Sequence, residues 1–320
     1  MSEEIKDEED SILGIGTESQ YMENRRTKMT FSIIVVCLNA GDKLRETIES
    51  IRSQTEQDYE IIIKDGGSED HATQAYLREY EQLHEDDFSQ DSMMCGSVRL
   101  YRSSDRGIYD AMNQAVQYVR GDYVLFLNCG DSFYDEKVLS RVKRHIAQTD
   151  RQGGRCSEQE AETLTSRYIF YGNIYERRTD TPVQSNPVID DFACYRNIPC
   201  HQACFYDAGL LREKPFDISY AVRADYEHFL WCYYRGHAKT VYMPFTVAFY
   251  EGGGFSETRE NERRSRQEHR EIVRRYMPAA KVRQYRLIMT VTLAPLRTWI
   301  ARNPVTAGIY QTFKRKLYKR

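Results

Sequence analysis

Carboxylates recur in this chain where a buried apolar run gives way to a polar turn. Asp131 closes the turn Asn128-Cys129-Gly130-Asp131 directly after the apolar run Tyr123–Leu127, and Asp65 opens Asp65-Gly66-Gly67-Ser68 directly after Tyr59–Lys64. A polar stretch, Asp105-Arg106-Gly107-Ile108-Tyr109-Asp110-Ala111-Met112-Asn113, leads into the first of these, and Asp225 opens the aromatic segment Ala224-Asp225-Tyr226-Glu227-His228-Phe229. A carboxylate at the carboxyl end of a buried strand sits where α/β sheets hold ligands. There it can take a proton, hold a cation or accept a hydrogen bond from a ligand. Each position also admits a plainer role. Gly66-Gly67 suits a positive-φ turn, and Asp65, Asp105 and Asp225 suit helix N-termini. The ordered set of four motifs favours the chemical reading over any motif taken singly.

The elements that position these residues follow from periodicity. Phe31–Leu38 (FSIIVVCL) and Tyr59–Lys64 (YEIIIK) read as buried strands, with Val98–Tyr101 a third and Tyr123–Leu127 a fourth. Between the first two, Leu44, Ile48 and Ile51 mark a helix over Asp42–Thr55. Ile108, Met112, Ala115, Val116 and Val119 mark another before the fourth strand. Alternating strands and helices predict a largely parallel α/β sheet with right-handed crossovers. Further on, Tyr168–Tyr175 and Lys239–Tyr250 read as strands and Asp225–Tyr234 as a short helix ended by Gly236. Residues Glu81–Ser97 and Gln148–Ser166 are too hydrophilic for core and read as surface insertions.

These motifs, in this order from Thr30 to Ser256, resemble family 2 of the inverting glycosyltransferases. The resemblance implies the GT-A fold, a Rossmann-like, mixed and mainly parallel sheet flanked by helices. Here it would carry a helical C-terminal extension. It implies transfer from a nucleotide-sugar, with UDP the expected nucleotide, and with Mg²⁺ or Mn²⁺ held at an Asp-x-Asp turn against the donor diphosphate. In this chain that turn reads Asn128-Cys129-Gly130-Asp131, which leaves Asp131 as the metal candidate and Asn128 as a ribose or sugar hydroxyl partner. Asp65 then matches the position that recognises the base. Asn39 after the first strand, Arg106 toward the phosphates, and Asn113 complete the donor set. Asp225 matches the catalytic base, which takes the acceptor proton in a single displacement, with Glu227 in reserve. His201-Gln202 resembles an acceptor-side pair, and Gly253 lies in a glycine-rich stretch (Glu251–Ser256) suited to a lid. Processive relatives carry Gln-x-x-Arg-Trp and membrane spans; this sequence has neither, so non-processive transfer is expected.

Composition sets the frame for that reading. With 320 residues, 41% hydrophobic and 29% charged, the chain can bury a full core. Its net charge of −3 hides an asymmetry: six acids lie in the first ten residues, whereas Ile272–Arg320 holds twelve Lys and Arg and no acid. The expected organisation is a disordered acidic segment (1–28), a glycosyltransferase domain (29–258) and a basic helical tail (259–320). Within that domain the nucleotide half ends near 131 and the acceptor half runs from 132 to 258. The apolar run Leu287–Leu296 is ten residues, half of the about 20 that a bilayer requires. The tail therefore either lies in an anionic membrane interface or packs on the domain. No nucleic-acid module accompanies it. Eight scattered cysteines, with no Cys-x-x-Cys and no secretory signal, point to a reducing cytoplasm. Cys200, His201 and Cys204 lack the spacing of a structural zinc site. The acceptor this favours is a saccharide or a lipid-linked saccharide at the inner face of a membrane, in surface polysaccharide assembly. The rival readings are a catalytically inactive sugar-nucleotide binder or scaffold, motivated by the thinned acidic turn, and a nucleotidyltransferase.

Overall fold

A computed structural model describes residues 30–84, 97–153, 167–252 and 258–292. Within them nine strands form one sheet in the order β3-β2-β1-β4-β8-β6-β9-β5, with β7 paired on β6. Strands β1 (Phe31–Cys37), β2 (Tyr59–Asp65), β3 (Val98–Arg102) and β4 (Tyr123–Phe126) are mutually parallel. Every residue of β1, β2 and β4 is buried, which is why these strands are continuous apolar runs rather than alternating ones. Their few polar side chains are paired. Glu60 accepts from Ser32, Arg99 and the backbone of Arg120. Lys64 donates to the Ser103 carbonyl at 2.6 Å and pairs with Asp105 at 3.3 Å.

Helices α1 (Asp42–Arg52), α2 (His71–His84) and α3 (Ile108–Val116) make the crossovers. Expected insertions at Glu81 and Gln148 begin later than the polar composition implies. Helix α2 runs to His84 and α4 (Val138–Gly153) to Gly153; the remainder of both insertions lies outside the described residues. Helix α3 stops at Val116, short of Val119. The chain tightens there to i→i−3 bonds, Tyr118 N–H to Ala115 O and Val119 N–H to Val116 O, while Val119 stays in the core. Gly121 is required at the next step, because a Cβ there would lie 2.7 Å from backbone atoms of Phe31 and Ser32.

The second half changes strand direction. It comprises β5 (Ser132–Phe133), α4, β6 (Tyr168–Glu176), β7 (Thr181–Val183) and α5 (Asp191–Arg196). Strand β8 (Cys204–Asp207), α6 (Ala208–Glu213), α7 (Ala224–Tyr234) and β9 (Lys239–Tyr250) follow. Strand β8 runs antiparallel to both β4 and β6, whereas β9 is parallel to β6 and antiparallel to β5, so the sheet is mixed. The core divides across the sheet. Ile34, Val36 and Phe126 join α3 and α7 on one face, and Ile33, Val35 and Leu125 join α1 and α4 on the other, the two-residue alternation of a strand.

Two C-terminal helices complete the described chain, α8 (Arg259–Tyr276) and α9 (Ala279–Val291). They dock by Ile272, Val273, Met277 and Val282, which enter the core alongside α7. Buried Glu268 accepts the backbone N–H groups of Ala221, Val222 and Arg223 at 2.9 to 3.0 Å, bracing the loop that leads into α7. Buried Glu227 is taken up by Lys214 at 2.8 Å and by Tyr276 and Arg275 of α8. The rest of the expected basic tail, 293–320, and the acidic segment 1–28 lie outside the described residues. No helix among the described residues is long and apolar enough to cross a membrane.

One buried histidine ties this packing to pH. His228 lies among Tyr206, Phe216 and Trp231, and burial there pushes its pKa from 6.5 down to about 3. Below pH 6.5 the unfolded chain binds a proton at this residue that the folded chain refuses until about pH 3. Stability therefore falls as pH drops through that window. In urea titrations between pH 7.5 and 4.5, His228→Phe is expected to flatten the acid-side loss of stability relative to the parent.

Candidate active site

The carboxyl ends of β1, β2 and β4 meet on one edge of the sheet, and three turns line it. After β1, Asn39 and Gly41 take positive φ (51° and 58°) and fold the chain back into α1. Asn39 Oδ1 accepts from the N–H groups of Glu69 (2.8 Å) and Asp70 (3.1 Å), and its own N–H donates to Ser68 Oγ at 2.8 Å. Asp65 is fully buried; it accepts from Ser68 N–H (3.1 Å), Ser68 Oγ (2.6 Å) and Arg102 Nε (3.2 Å). Both residues thus lock the first two turns together, and Asp65 offers no free oxygen to a base.

The third turn follows β4. Thr47 of α1 organises it, donating to the Asp131 carbonyl at 2.8 Å and accepting from Gly130 N–H at 3.0 Å. Asp131 is 3% exposed. Its Oδ2 accepts from Gln202 Nε2 and its Oδ1 from Glu251 N–H, each at 2.9 Å. Burial pushes its carboxyl above the usual range against these two donors. Over Gly130 (φ 95°), the Glu251 carboxylate occupies the space a side chain would fill, 2.3 Å from an ideal Cβ. Lys43 neutralises it at 2.8 Å.

A divalent ion held against a diphosphate needs one or two carboxylate oxygens turned toward it. At this turn both oxygens of Asp131 are taken by the protein's own donors, position 130 has no side chain, and Glu251 already faces an ammonium. Among the described residues no three His, Cys, Asp or Glu groups converge. The arrangement does not fit a divalent ion. Nor do Cys200 and Cys204 hold one with His201. The Cys200 thiol donates to Gln202 Oε1 and that of Cys204 to the Cys200 carbonyl, and burial raises the first to about 12.

The remaining sequence-derived candidates divide sharply. Asn128, His201 and Asp225 are brought together. Asn128 Nδ2 lies 3.1 Å from His201 Nε2, and His201 Nδ1 lies 3.4 Å from Asp225 Oδ2. Asp225 Oδ1 accepts from the Tyr109 hydroxyl at 3.0 Å and the Tyr226 N–H at 2.8 Å. Burial raises its pKa, but His201, Arg223 and Tyr109 together outweigh burial and hold it below the ordinary value. Asn128 Oδ1 is buried with no partner. Asn113 is elsewhere engaged, clamping Phe216 through its N–H and carbonyl at 2.9 Å each. Arg106 is 75% exposed and pairs with Asp110 at 3.3 Å. Gly253 lies outside the described residues. Sequence reasoning missed Thr47 and the pairing of Tyr109 with Asp225. The only sequence signal for Tyr109 was its place within Gly107-Ile108-Tyr109-Asp110.

Comparison with known proteins gives this edge a family. The model for glycosyl transferase family 2 matches residues 32–200. A PGL/p-HBAD biosynthesis glycosyltransferase of Mycobacterium tuberculosis is 33% identical over 230 residues, covering 71% of this chain and 79% of its own. Among solved structures, a mannosyltransferase from Pyrobaculum calidifontis, in complex with GDP-Man and Mn²⁺, superposes with a TM-score of 0.54. It is 16% identical and covers 94% of this chain and 88% of that one. TarS 1–349 of S. aureus, in complex with UDP, gives 0.51 at 14% identity over 80% of this chain and 69% of that one. At such identities the two structures speak for the fold alone, which is GT-A. The chain belongs to glycosyl transferase family 2 and is a glycosyltransferase.

Proposed function

We propose that the enzyme moves a hexosyl or N-acetylhexosaminyl group from a UDP-sugar to a hydroxyl of a saccharide or lipid-linked saccharide, non-processively and with inversion. The observation that carries this reading is the convergence of Asn128, His201 and Asp225 beside the β4 turn. A single displacement with inversion needs one base on the acceptor side and neutralisation of the departing diphosphate on the other. Asp225 at the start of α7 is assigned to the base function, with His201 and Gln202 on the acceptor side. Asn128 faces the donor sugar or ribose. Asp65 and Asn39 shape the base-binding edge through the Ser68 hydroxyl and the Arg102 guanidinium they hold. Exposed Arg106, paired with Asp110, is assigned to a phosphate contact, whereas Asn113 acts by fixing the Phe216 loop over α3.

Mn²⁺ accompanies GDP-Man in the Pyrobaculum enzyme, but every step proposed here runs on this chain's own residues. Lys43, beside Gly130 and paired with Glu251, is assigned to the diphosphate charge. Calorimetric titration with UDP is expected to give the same affinity in EDTA and in Mn²⁺, and Lys43→Ala is expected to weaken it about tenfold, the scale of one charge-assisted contact. Strict Mn²⁺ dependence, lost in Asp131→Ala, would return Asp131 to the ligand role implied by the family resemblance. Asp225→Asn should lower donor turnover by about 10² to 10⁴ while UDP affinity stays within about threefold, because a base on the acceptor side touches the transition state and not the bound nucleotide. The anomeric configuration of the product, read by NMR, tests inversion.

The acceptor assignment rests on the basic C-terminal region. Helix α9 exposes Arg283 and Arg286 beside Leu287 (64% exposed) and Val291 (72%), a pairing suited to an anionic lipid surface. We place the enzyme peripherally at the cytoplasmic face of a membrane, in polysaccharide assembly. The intact protein is expected to float with vesicles containing anionic lipid and not with neutral ones; equal recovery with both would remove the membrane from the proposal.

A further inference from the structure

A cleft of about 760 Å³ lies where α8, α9 and α5 meet, lined by Gln267, Arg270, Glu271 and Arg274 of α8, Arg286 of α9 and Tyr195 of α5. We propose that this cleft binds the headgroup of a membrane lipid that ends in a phosphomonoester, with Arg270, Arg274 and Arg286 holding the phosphate. The inference rests on the reading that the C-terminal helices meet an anionic membrane, and it adds a discrete headgroup site to that contact.

The first ground is charge. Arg264, Arg266 and Arg275 of α8 each have a carboxylate partner, in Glu268, Glu262 and Asp217. Arg270, Arg274 and Arg286 have none among the described residues, and no residue from Ile272 to Arg320 is acidic. Arg270 and Arg274 lie one turn apart on the same helix, a spacing at which like charges destabilise it. An anion shared between them removes that repulsion. Glu271 is the single carboxylate of the lining, so three guanidinium groups outweigh it. The second ground is a fixed floor. Tyr195 accepts at its carbonyl from His269 Nε2 of α8 at 2.9 Å, its ring packs on Tyr285 of α9 at 5.4 Å, and Lys281 of α9 pairs with Asp191 of α5. The three helices that carry the lining are thereby held together.

Counting donors selects the headgroup. A phosphomonoester carries a charge of about −1.5 to −2 on three terminal oxygens, and each guanidinium fork can take one edge of such a group. A phosphodiester, singly charged with two free oxygens, leaves one fork unmet. The source follows from α9. Leu287 comes directly after Arg286, Val291 lies one turn further, and both are exposed, so the acyl chains of a lipid find apolar surface beside the headgroup. A soluble phosphate would leave that surface in water. The consequence reaches the active site, because α8 also supplies Glu268, which braces the loop into α7. A lipid held by Arg270 and Arg274 therefore grips the helix that helps to position Asp225.

Flotation of the full chain tests this with two vesicle types adjusted to the same surface potential. One contains phosphatidic acid, a phosphomonoester, and the other phosphatidylglycerol, a phosphodiester. The parent is expected to bind the first at least about tenfold more tightly, the scale of one further charge-assisted contact. Arg274→Gln and Arg286→Gln should each remove most of that preference. Arg263→Gln, an equal loss of charge at an exposed position of α8 outside the cleft, should weaken binding to both lipids alike and leave their ratio unchanged. Circular dichroism melts check that the variants fold. Glycerol 3-phosphate, titrated by calorimetry, is expected to bind at least about tenfold more weakly than phosphatidic acid vesicles, because it leaves Leu287 and Val291 in water. No preference in the parent, a preference that survives both substitutions, or equal affinity for glycerol 3-phosphate would each overturn the proposal. In the first two cases, flotation with both anionic vesicles would still support the membrane reading. Recovery with neither would remove the membrane, and this site with it.

Discussion

The antiparallel pairing of β8 with β4 is the constraint on which this site depends. Its register sets Tyr123 opposite Asp207 and Val124 opposite Tyr206. Continued past the last paired residues, the same register carries Asn128 to the level of Gln202. The turn after β4 and the short helical turn before β8 are thereby forced to the same height on the sheet edge. This is why Asn128 meets His201 and Asp131 meets Gln202 across more than 70 positions of sequence. A parallel strand in the place of β8 would end at that edge rather than begin there. His201 and Gln202 would then follow the strand, not precede it. The reversal of direction at β8 therefore joins the parallel strands β1 to β4 to the mixed second half of the sheet.

Asp225 reaches the same point by a different route. It sits in the first turn of α7, and the loop before it is held by Glu268, whose carboxylate takes three successive backbone N–H groups from Ala221 to Arg223. Such groups are otherwise orphaned at a helix entry, and a buried carboxylate satisfying them is compensated only while all three bonds persist. Glu268 belongs to α8, so the C-terminal helices are part of the frame of the site. Tyr109 closes the frame from the other side, donating to Asp225 and lying against the Val222 carbonyl. The position of Asp225 is thus set by α3, α7 and α8 together.

How far this was legible in the sequence follows from the range of each interaction. Strands β1, β2 and β4 were readable because two-sided burial leaves a continuous apolar run, and β9 was found from Lys239 to Tyr250. Strand β8 was not: four residues, Cys204–Asp207, are too few to show a period. The candidates at strand ends were readable because such ends hold ligands, but the partners of each were not. Asp65 looked like an open carboxylate, whereas Ser68 three residues on and Arg102 of the neighbouring strand enclose it. Asn113 looked like a donor contact, and the Phe216 backbone, 103 residues away, takes both ends of its amide. Tyr109 and Asp225 are 116 positions apart, and no local pattern announces that pair.

The thinned acidic turn is best understood by separating what is fixed there from what can move. Asp131 is buried and bonded at both oxygens, so removing either donor would leave a buried charge short of a partner, a loss of about 1 to 3 kcal/mol; it is a rigid post. The Lys43–Glu251 pair has side chains 53% and 41% exposed, and exposed pairs contribute little, about 0 to 1 kcal/mol. Lys43 can therefore exchange Glu251 for a phosphate oxygen at small cost, and Glu251 remains anchored by the bond from its own N–H to Asp131. Gly130 suits this, since at φ 95° any other residue would be strained and its Cβ would have to displace the Glu251 carboxylate. The turn thus keeps one immobile carboxylate for geometry and places a mobile ammonium, with its counter-ion, in the space above it. A thin acidic motif and a functional diphosphate site are compatible when the cation is supplied by the chain.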